Sequence, residues 1–481
     1  MSLQYDLTKL SEADREKIAE ELTIRVDDPK SRYSQYSRPQ FMYPYLVTDT
    51  SVSVPFAWGM KELGSSGRRP RSSFPSAKLT FSGEYRSEQK VVRSEAVGML
   101  NTRGTALISA YPGFGKTFIA VGLGCRIGFK TLVLVNKVVL MKQWEQSILK
   151  FTSGSSSSDV QIVKPATKTQ REEGKSRDRW RGKWKSATWL IMNAQNVCKM
   201  PVDFFGDIGC VIVDECHQLM ASSFSKALQY LHPRYLIGLS ATPYRTDGLN
   251  QLLDLYFSSE KIVRKLTKKH TVFEVPTGFT PPVEKTAQGR INWNAILEAQ
   301  STDPRRNSMI IDAVEALSTR VILILTKRVT QAEFLVDQLR LRGHSVEGLY
   351  GTRQTFDREC RILIGTSSKI GVGFDHHRLD CLILASDVEE YFIQFLGRVF
   401  RSPLVEPVIV DFVDNNSILK KHFRTRKSIY KKHGGTIVSV LPSEIGSVAT
   451  RMDAPALDAP ALAAPALVSI SKFFPRVKKQ R

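Results

Sequence analysis

Two series of short apolar runs, separated by helical segments, constrain the fold of this 481-residue chain more than any other feature. The first series comprises Ala106–Ser109, Thr131–Val135, Thr188–Met192, Cys210–Val213 and Tyr235–Leu239. The second comprises Val321–Leu325, Arg361–Gly365, Cys381–Leu384 and Val408–Asp411. Continuous apolar runs of this length between helices are typical of parallel strands that are covered on both faces. The sequence therefore predicts an α/β protein with two parallel-sheet lobes in tandem.

Changes in composition along the chain divide it into five expected units. Near the N-terminus, Ser11 is expected to cap a helix, and Gly64–Ser73 is expected to be a turn-rich basic linker. The stretch between the lobes is rich in Pro, Thr and Lys, and three units containing Ala-Pro-Ala-Leu favour an extended segment near the C-terminus. The expected units are a small N-terminal accessory domain over residues 1–80, a first lobe over 81–262, a connector over 263–304, a second lobe over 305–435 and a flexible basic tail over 436–481.

Bulk properties restrict the partners and the compartment. The formal net charge of +22 favours a polyanionic partner such as nucleic acid. No stretch approaches the ~18–20 apolar residues that a membrane span needs, so we expect no membrane partner and no secretory signal. The six cysteines form no Cys-x-x-Cys pair and are expected to be thiols in a reducing, intracellular compartment. A monomer is the default expectation.

A glycine-containing loop follows the first strand of the first lobe, in the string Ala-Tyr-Pro-Gly-Phe-Gly-Lys-Thr that ends at Thr117. Glycines at this spacing let backbone N–H groups point at phosphate oxygens, and the helix that follows adds a favourable dipole. Lysine neutralises the β- and γ-phosphates, and the threonine hydroxyl can bind Mg²⁺. The candidate ATP-binding residues in this loop are Gly113, Phe114, Gly115, Lys116 and Thr117.

An acidic pair follows the buried run Cys210–Val213. Asp214 leaves that strand at its carboxyl end, where ligands of α/β proteins bind, and is expected to hold Mg²⁺ together with Thr117. Glu215 is expected to orient and deprotonate the attacking water. An ordinary acidic turn is the alternative. With the phosphate loop, this pair predicts a site that uses ATP and Mg²⁺.

A third string in the second half can supply positive charge to the same phosphate. Gln394, Arg398 and Arg401 lie at i, i+4 and i+7 and so share one face of a helix. Arginines that point at a γ-phosphate stabilise the charge that develops in transfer, although an amphipathic surface helix is the alternative. Because these catalytic candidates belong to the second lobe, the site is complete only when the lobes close.

Two further strings follow predicted strands. Ser240 and Thr242, after the run Tyr235–Leu239, could link the acidic loop to the second lobe. The string from Thr366 to Asp375 is expected to face both phosphate and nucleic acid, with Gly373 and Asp375 as ATP-binding candidates.

Taken in order, these strings resemble those of the superfamily-two helicases of the DExH type, over about residues 85 to 415. The resemblance implies RecA-like lobes, and adenine recognition by Gln89, which ends a string similar to the family's glutamine motif. It also implies that His217 couples hydrolysis to strand movement. The nucleic-acid contacts that it implies are Asn136, Lys137, Gln195, Thr366 and Lys369.

Within that superfamily, Gly238–Gly248 resembles the XPB and UvsW branch, and the basic stretch Leu419–His433 resembles transcript-release DNA helicases of poxviruses and other large cytoplasmic DNA viruses. This resemblance implies a DNA-stimulated ATPase that moves 3′ to 5′ in viral transcription, replication or repair. It also implies contact with the transcription machinery, and location in the host cytoplasm or the virion. The alternatives are an RNA helicase, a double-stranded DNA translocase that does not separate strands, and a nucleic-acid-binding scaffold without hydrolysis.

The extreme C-terminus resembles a motif that binds sliding clamps. Ile470, Phe473 and Phe474 would fill an apolar clamp pocket, presented on the Ala-Pro-Leu tether. Leu467 stands where that motif has its leading glutamine, and a non-specific basic tail is the alternative.

Overall fold

The structure is a computed structural model. It describes residues 1–26, 40–165, 184–219, 228–241, 250–287, 289, 291–353, 355–371, 376–388, 392–400 and 405–453. The predicted site residues Thr242, Gly373, Asp375 and Arg401 lie outside these ranges, as do Ile470, Phe473 and Phe474 of the clamp-like motif. Elements are numbered below along the described residues. None of the described helices is long and apolar enough to cross a membrane.

A small antiparallel sheet forms near the N-terminus. Its region contains β1 (Ser2–Asp6), α1 (Glu12–Glu21), β2 (Ile24–Val26), β3 (Gln40–Met42), β4 (Leu46–Val47), β5 (Ser51–Pro55) and α2 (Phe56–Glu62). Within the described residues, β1, β5 and β4 form one sheet, and β2 pairs with β3. Ser11 caps α1 as predicted, because its hydroxyl accepts from the Asp14 N–H while the Asp14 carboxylate accepts from the Ser11 N–H. The apolar face of this unit shares one core with the first large sheet.

The first large sheet is parallel throughout its described strands. This region contains β6 (Thr80–Phe81), α3 (Ser87–Arg103), β7 (Thr105–Ala110), α4 (Lys116–Ile127), β8 (Thr131–Val135), α5 (Val138–Phe151), β9 (Thr152–Ser153), β10 (Val160–Val163), β11 (Trp189–Asn193), β12 (Cys210–Val213), α6 (Cys216–Leu219), β13 (Tyr235–Ser240), α7 (Asn250–Phe257) and β14 (Ile262–Arg264). In the described part of the chain the strand order is β10-β11-β8-β12-β13-β7-β14. The five runs predicted for this lobe are all strands of this sheet.

The second large sheet is also parallel in its described strands. This region contains β15 (His270–Pro276), α8 (Trp293–Thr302), α9 (Pro304–Ala316), β16 (Ile322–Thr326), α10 (Val329–Leu341), β17 (Val346–Leu349), β18 (Ile362–Thr366), α11 (Ser367–Gly371), β19 (Cys381–Leu384), α12 (Phe392–Val399), β20 (Val408–Val413), α13 (Ser417–Lys432), β21 (Gly435–Ser439) and α14 (Ile445–Asp453). The order over the described residues is β17-β18-β16-β19-β20-β15-β21. Apolar side chains pack on both faces of the sheet, which confirms the predicted pair of α/β lobes.

Two stretches expected to lie outside the second lobe contribute strands to its sheet. Residues 263–304, expected to be a connector, contain β15, which pairs with β20 on one side and β21 on the other. Residues 436–481, expected to be a linker and tail, contain most of β21 and also α14, whose Ile445 is buried in the core. Neither strand was predicted, because both mix polar residues into short apolar runs beside Lys, Gly or Pro.

The basic stretch 64–73, expected to be a turn-rich linker, packs against the amino edge of the first sheet. The guanidinium of Arg68 lies 4.8 Å from the ring centre of Tyr235, and that of Arg71 lies 4.7 Å from the ring centre of Phe129. The Arg68 side chain also donates to the Arg234 carbonyl at 3.0 Å. Cation–π contacts of this kind fix the arginines against aromatic rings, so their charge serves packing here.

Candidate nucleotide site and nucleic-acid interface

The phosphate loop leaves the carboxyl end of β7 and leads into α4. Gly113 and Gly115 have φ angles of +87° and +94°, a left-handed conformation that favours glycine. A Cβ at Gly115 would lie 2.5 Å from the Gln89 amide nitrogen, so a side chain there would displace Gln89. The first N–H groups of a helix have no partner within it, and those of α4 open onto this loop. The loop therefore has the backbone geometry that cradles a phosphate.

Lys116 extends along the inside of the loop. Its ammonium group donates to the Ala110 carbonyl at 2.7 Å and to the Tyr111 carbonyl at 3.4 Å. Burial lowers the pKa of Lys116, while Glu215 and Asp214 act in the opposite direction. A buried amine whose nearest charges are carboxylates is suited to bind an anion that also carries a metal ion.

Gln89 ties the beginning of α3 to the phosphate loop. Its amide nitrogen donates to the Phe114 carbonyl at 2.8 Å, and its amide oxygen accepts from the Arg86 N–H at 3.0 Å. The Arg86 guanidinium donates to the same Phe114 carbonyl at 2.8 Å. Gln89 and Arg86 therefore both hold the Phe114 carbonyl of the phosphate loop from the beginning of α3.

Asp214 follows β12 and is held in place from two sides. Its Oδ2 accepts from the indole N–H of Trp144 at 2.8 Å, and its Oδ1 accepts from the Glu215 N–H at 3.0 Å. Burial and repulsion from Glu215 raise the pKa of Asp214 to about 6, whereas Trp144 and Lys116 favour the carboxylate. A buried carboxylate of this kind suits an oxygen-binding divalent cation such as Mg²⁺. The sequence does not indicate that Trp144 positions Asp214, because the two residues lie seventy positions apart.

Glu215 has a φ angle of +46°, which is uncommon for a residue with a side chain and often marks a functional position. Its Oε2 accepts from the Ala241 N–H at 3.4 Å and lies 3.5 Å from Nδ1 of His217. The same imidazole nitrogen lies 2.9 Å from the Ser240 hydroxyl. The structure therefore brings Glu215, His217 and Ser240 together across the ends of β12 and β13.

The second lobe reaches this site through α12. Burial lowers the pKa of Arg398 to about 10, and Glu215 is the charge that opposes this effect. A Cβ at Gly397 would lie 2.8 Å from the ring of Pro112 in the phosphate loop, so the two lobes touch there. Gln394 is buried on the same helix. The structure thus brings Arg398 to the phosphate-loop side of the cleft, with Gln394 one turn earlier on the same helix.

The predicted nucleic-acid residues lie at the carboxyl ends of strands in both sheets. Asn136 donates through its side chain to Gln218, and Lys137 is exposed beside it. Gln195 is also exposed, at the end of β11. In the second lobe, Thr366 ends β18 and its hydroxyl lies 3.2 Å from that of Ser368, with Lys369 one residue further on. These three strand ends, two in the first sheet and one in the second, carry polar and basic groups.

The cleft in which the phosphate loop, two carboxylates and an arginine of the second lobe lie together has the arrangement of a nucleoside triphosphate hydrolase built from two lobes. Residues 82–245 match the family described as type III restriction enzyme, res subunit. Putative helicase 161L of Invertebrate iridescent virus 6 is 41% identical over 387 residues, covering 76% of this chain and 85% of the relative. Putative helicase 055L of Frog virus 3 is 32% identical over 400 residues, covering 80% of this chain and 85% of the relative.

A solved structure of a variant of S. cerevisiae Dbp5 bound to RNA and ADP BeF3 has the same fold. The aligned region covers 75% of this chain and 92% of the Dbp5 chain, with a TM-score of 0.52 and 15% sequence identity. The chain belongs to the superfamily-two helicases, among relatives from large DNA viruses, and is a nucleic-acid-dependent ATP hydrolase of that superfamily. The predicted family and enzyme class are confirmed.

Proposed function

We propose that this protein is an ATP- and Mg²⁺-dependent DNA helicase or translocase. The observation that supports the proposal is the contact of α12 with the phosphate loop at Gly397 and Pro112, because Arg398, the next residue on that helix, then interacts electrostatically with Glu215 of the other lobe. A hydrolysis site shared between two lobes makes their separation depend on the state of the nucleotide. The exposed polar edges of both sheets would then grip and release a strand as that separation changes.

Each site residue has a distinct task in this proposal. Lys116 and the N–H groups of the loop bind the β- and γ-phosphates, and Gln89 contributes to the pocket for adenine. Mg²⁺, when bound, withdraws charge from the phosphates, and Asp214 and Thr117 are the residues that would hold it. Glu215 orients the attacking water and takes its proton, and Arg398 stabilises the charge that develops on the γ-phosphate.

The link between hydrolysis and strand movement runs through His217. Its ring joins Glu215 to Ser240, so a change at the catalytic acid reaches the end of β13 directly. Gln394 and Arg401 are further catalytic residues in this proposal, and Thr242 is a further coupling residue. Gly373 and Asp375 are further nucleotide contacts. Asn136, Lys137, Gln195, Thr366 and Lys369 contact the sugar-phosphate chain, which such motors hold without reading bases.

DNA is the proposed substrate, with movement from 3′ to 5′ in viral transcript release, replication or repair. The resemblance of Leu419–His433 to viral transcript-release helicases supports it, together with relatives from large DNA viruses. The proposed setting is a monomer inside the host cell or the virion, contacting the transcription machinery and, through the C-terminal motif, a sliding clamp. RNA is the second candidate, because a relative from Acanthamoeba polyphaga mimivirus is named a putative ATP-dependent RNA helicase.

ATP hydrolysis should be measured without nucleic acid and with single-stranded DNA, duplex DNA and RNA. The control is Glu215→Gln, which keeps the shape of the side chain and an oxygen for the Ala241 N–H but cannot take a proton. Strong stimulation by DNA that Glu215→Gln abolishes supports the proposal. Stimulation by RNA alone overturns the substrate, and no hydrolysis under any condition overturns the motor itself.

A further inference from the structure

Helix α13 lies on the side of the second sheet and packs through one face only. Leu419, Phe423, Arg426 and Tyr430 are buried on that face. The helix is well formed at its beginning, because the Asn416 side chain accepts from the N–H groups of Ile418 and Leu419. The opposite face is therefore presented on a rigid element.

The acidic residues that neighbour α13 form ion pairs with two of its bases, the buried Arg426 and the half-buried Lys427. Arg426 donates to Asp411 and to Asp387, each at 2.8 Å. Lys427 lies 2.9 Å from Glu274 on β15. These contacts neutralise the acids of the neighbouring strands and leave none of them for the outer face.

The outer face is basic and has no counter-charge in the described part of the chain. The helix itself contains no Asp or Glu. Its exposed bases are Lys420, Lys421, Arg424, Lys431 and Lys432. Lys420 donates to the side chain of Asn415, and none of the five forms an ion pair with a described residue. The arginines at 68–71 lie on aromatic rings, but these bases project into solvent.

We propose that this outer face of α13 binds the phosphate backbone of nucleic acid that extends beyond the cleft between the lobes. The proposal rests on the proposed function and adds a second contact region to it. Charge complementarity selects the partner, because a row of unpaired bases on a rigid helix attracts a polyanion and contains no large apolar residue that could enter a membrane or a protein groove.

The geometry of the helix fits a continuing strand. Lys420 and Lys432 are about 18 Å apart along the axis, at 1.5 Å per residue, which matches roughly five phosphates of a strand in duplex DNA. The helix begins beyond the carboxyl end of β20, on the same edge as Thr366. It ends before β21, which starts at the opposite edge of the sheet. The basic face therefore leads from the predicted strand-binding edge along the outside of the lobe.

The test compares two variants that each remove three positive charges. The first carries Lys421→Gln, Arg424→Gln and Lys432→Gln, which leave the buried face of α13 unchanged. The matched control carries Lys9→Gln, Arg126→Gln and Lys185→Gln, at exposed positions outside the second lobe. Binding is measured by fluorescence anisotropy over a salt series, with DNA and with RNA of about 8 and about 30 nucleotides, because sites on single strands span about 4–16 nucleotides.

For the long oligonucleotide, the α13 variant should lose affinity, and the slope of log affinity against log salt should fall by about 2, since each phosphate contact on a single strand contributes about 0.7. The short oligonucleotide should bind and stimulate ATP hydrolysis as in the unaltered protein, and the control variant should keep the full slope. Equal slopes in both variants, or equal losses with short and long oligonucleotides, overturn the inference. If the unaltered protein binds neither DNA nor RNA, the proposed function fails first, and this inference fails with it.

Discussion

Replacement of Gly397 by alanine tests directly whether the two lobes must touch for hydrolysis. The added methyl group would lie 2.8 Å from Cβ and Cγ of Pro112 and 3.0 Å from its Cδ. Carbon atoms in ordinary contact are about 3.5–4.0 Å apart, so the lobes would have to separate locally by roughly 0.5–1 Å. The proline ring is rigid and lies within the phosphate loop, so it cannot give way as a flexible side chain could.

Inserting a methyl group into a packed contact costs about 1–3 kcal/mol. Because this contact forms only when the lobes close, the cost falls on the closed state, and its population should drop roughly 5- to 150-fold. Alanine is also a better helix former than glycine by about 0.5–1 kcal/mol, so α12 itself should not be weakened. The expected result is a fall of that size in kcat/KM for ATP, with no loss of thermal stability.

The matched control is Gly98→Ala, since a Cβ at Gly98 on α3 would meet no atom within 4 Å. Both variants should melt at or above the temperature of the unaltered protein, but only Gly397→Ala should hydrolyse ATP slowly in the presence of nucleic acid. If Gly397→Ala hydrolyses ATP at the unaltered rate, the contact with Pro112 does not belong to the active state, and the argument for a site shared between the lobes is refuted.

Three further variants test Trp144, which holds Asp214 in place, the arginine Arg398 of the second lobe, and the histidine His232. Trp144→Phe removes one hydrogen bond to Asp214 and should raise the Mg²⁺ concentration for half-maximal hydrolysis about 10- to 100-fold, with the rate recovering at high Mg²⁺; an unchanged Mg²⁺ curve would contradict this. Arg398→Ala should lower kcat about a thousandfold and weaken nucleotide binding, followed by a fluorescent analogue, by a much smaller factor; a normal kcat would exclude Arg398 as the charge-stabilising group. Burial lowers the pKa of His232 from 6.5 to about 4, so stability should fall as pH drops below 6.5, by about 2 kcal/mol between pH 7.5 and pH 5. His232→Gln should flatten that part of the stability profile in denaturant titrations, and an equally steep profile would show that other groups cause it.

The sequence correctly predicts those parts of the fold that produce a local pattern of apolar residues. The nine predicted strands are continuous apolar runs buried on both faces, and each occurs in one of the two sheets. The sequence does not predict strands β15 and β21, which pair with each other. No residue of β21 is fully buried, so the sequence of this strand contains no continuous apolar run that would predict it. Their pairing depends on residues about 165 positions apart, which no local pattern contains.

In the candidate site, too, the sequence predicts the residues that stand in local motifs but not the contacts between distant parts of the chain. Lys116 and Asp214 stand in strings whose spacing itself indicates their chemistry, and the structure places them together. The hydrogen bond from Trp144 to Asp214 and the contact of Gly397 with Pro112 join distant parts of the chain. Such contacts follow from the packing of strand ends and lobes, so they could be found only once the fold was known.

The charges around the cleft explain why nucleotide binding and lobe closure should depend on each other. The charged groups of the first lobe that interact at this site include one base, Lys116, and two acids, Asp214 and Glu215, and a metal-bound triphosphate is itself an anion. Arg398 adds the missing positive charge only when α12 lies against the phosphate loop. Closure therefore raises affinity for the nucleotide, and by linkage the nucleotide must favour closure by the same factor. In the proposed motor, nucleic acid that contacts strand ends of both lobes would favour the closed state in the same way, so stimulation of hydrolysis by a bound strand is the consequence expected from the placement of Arg398.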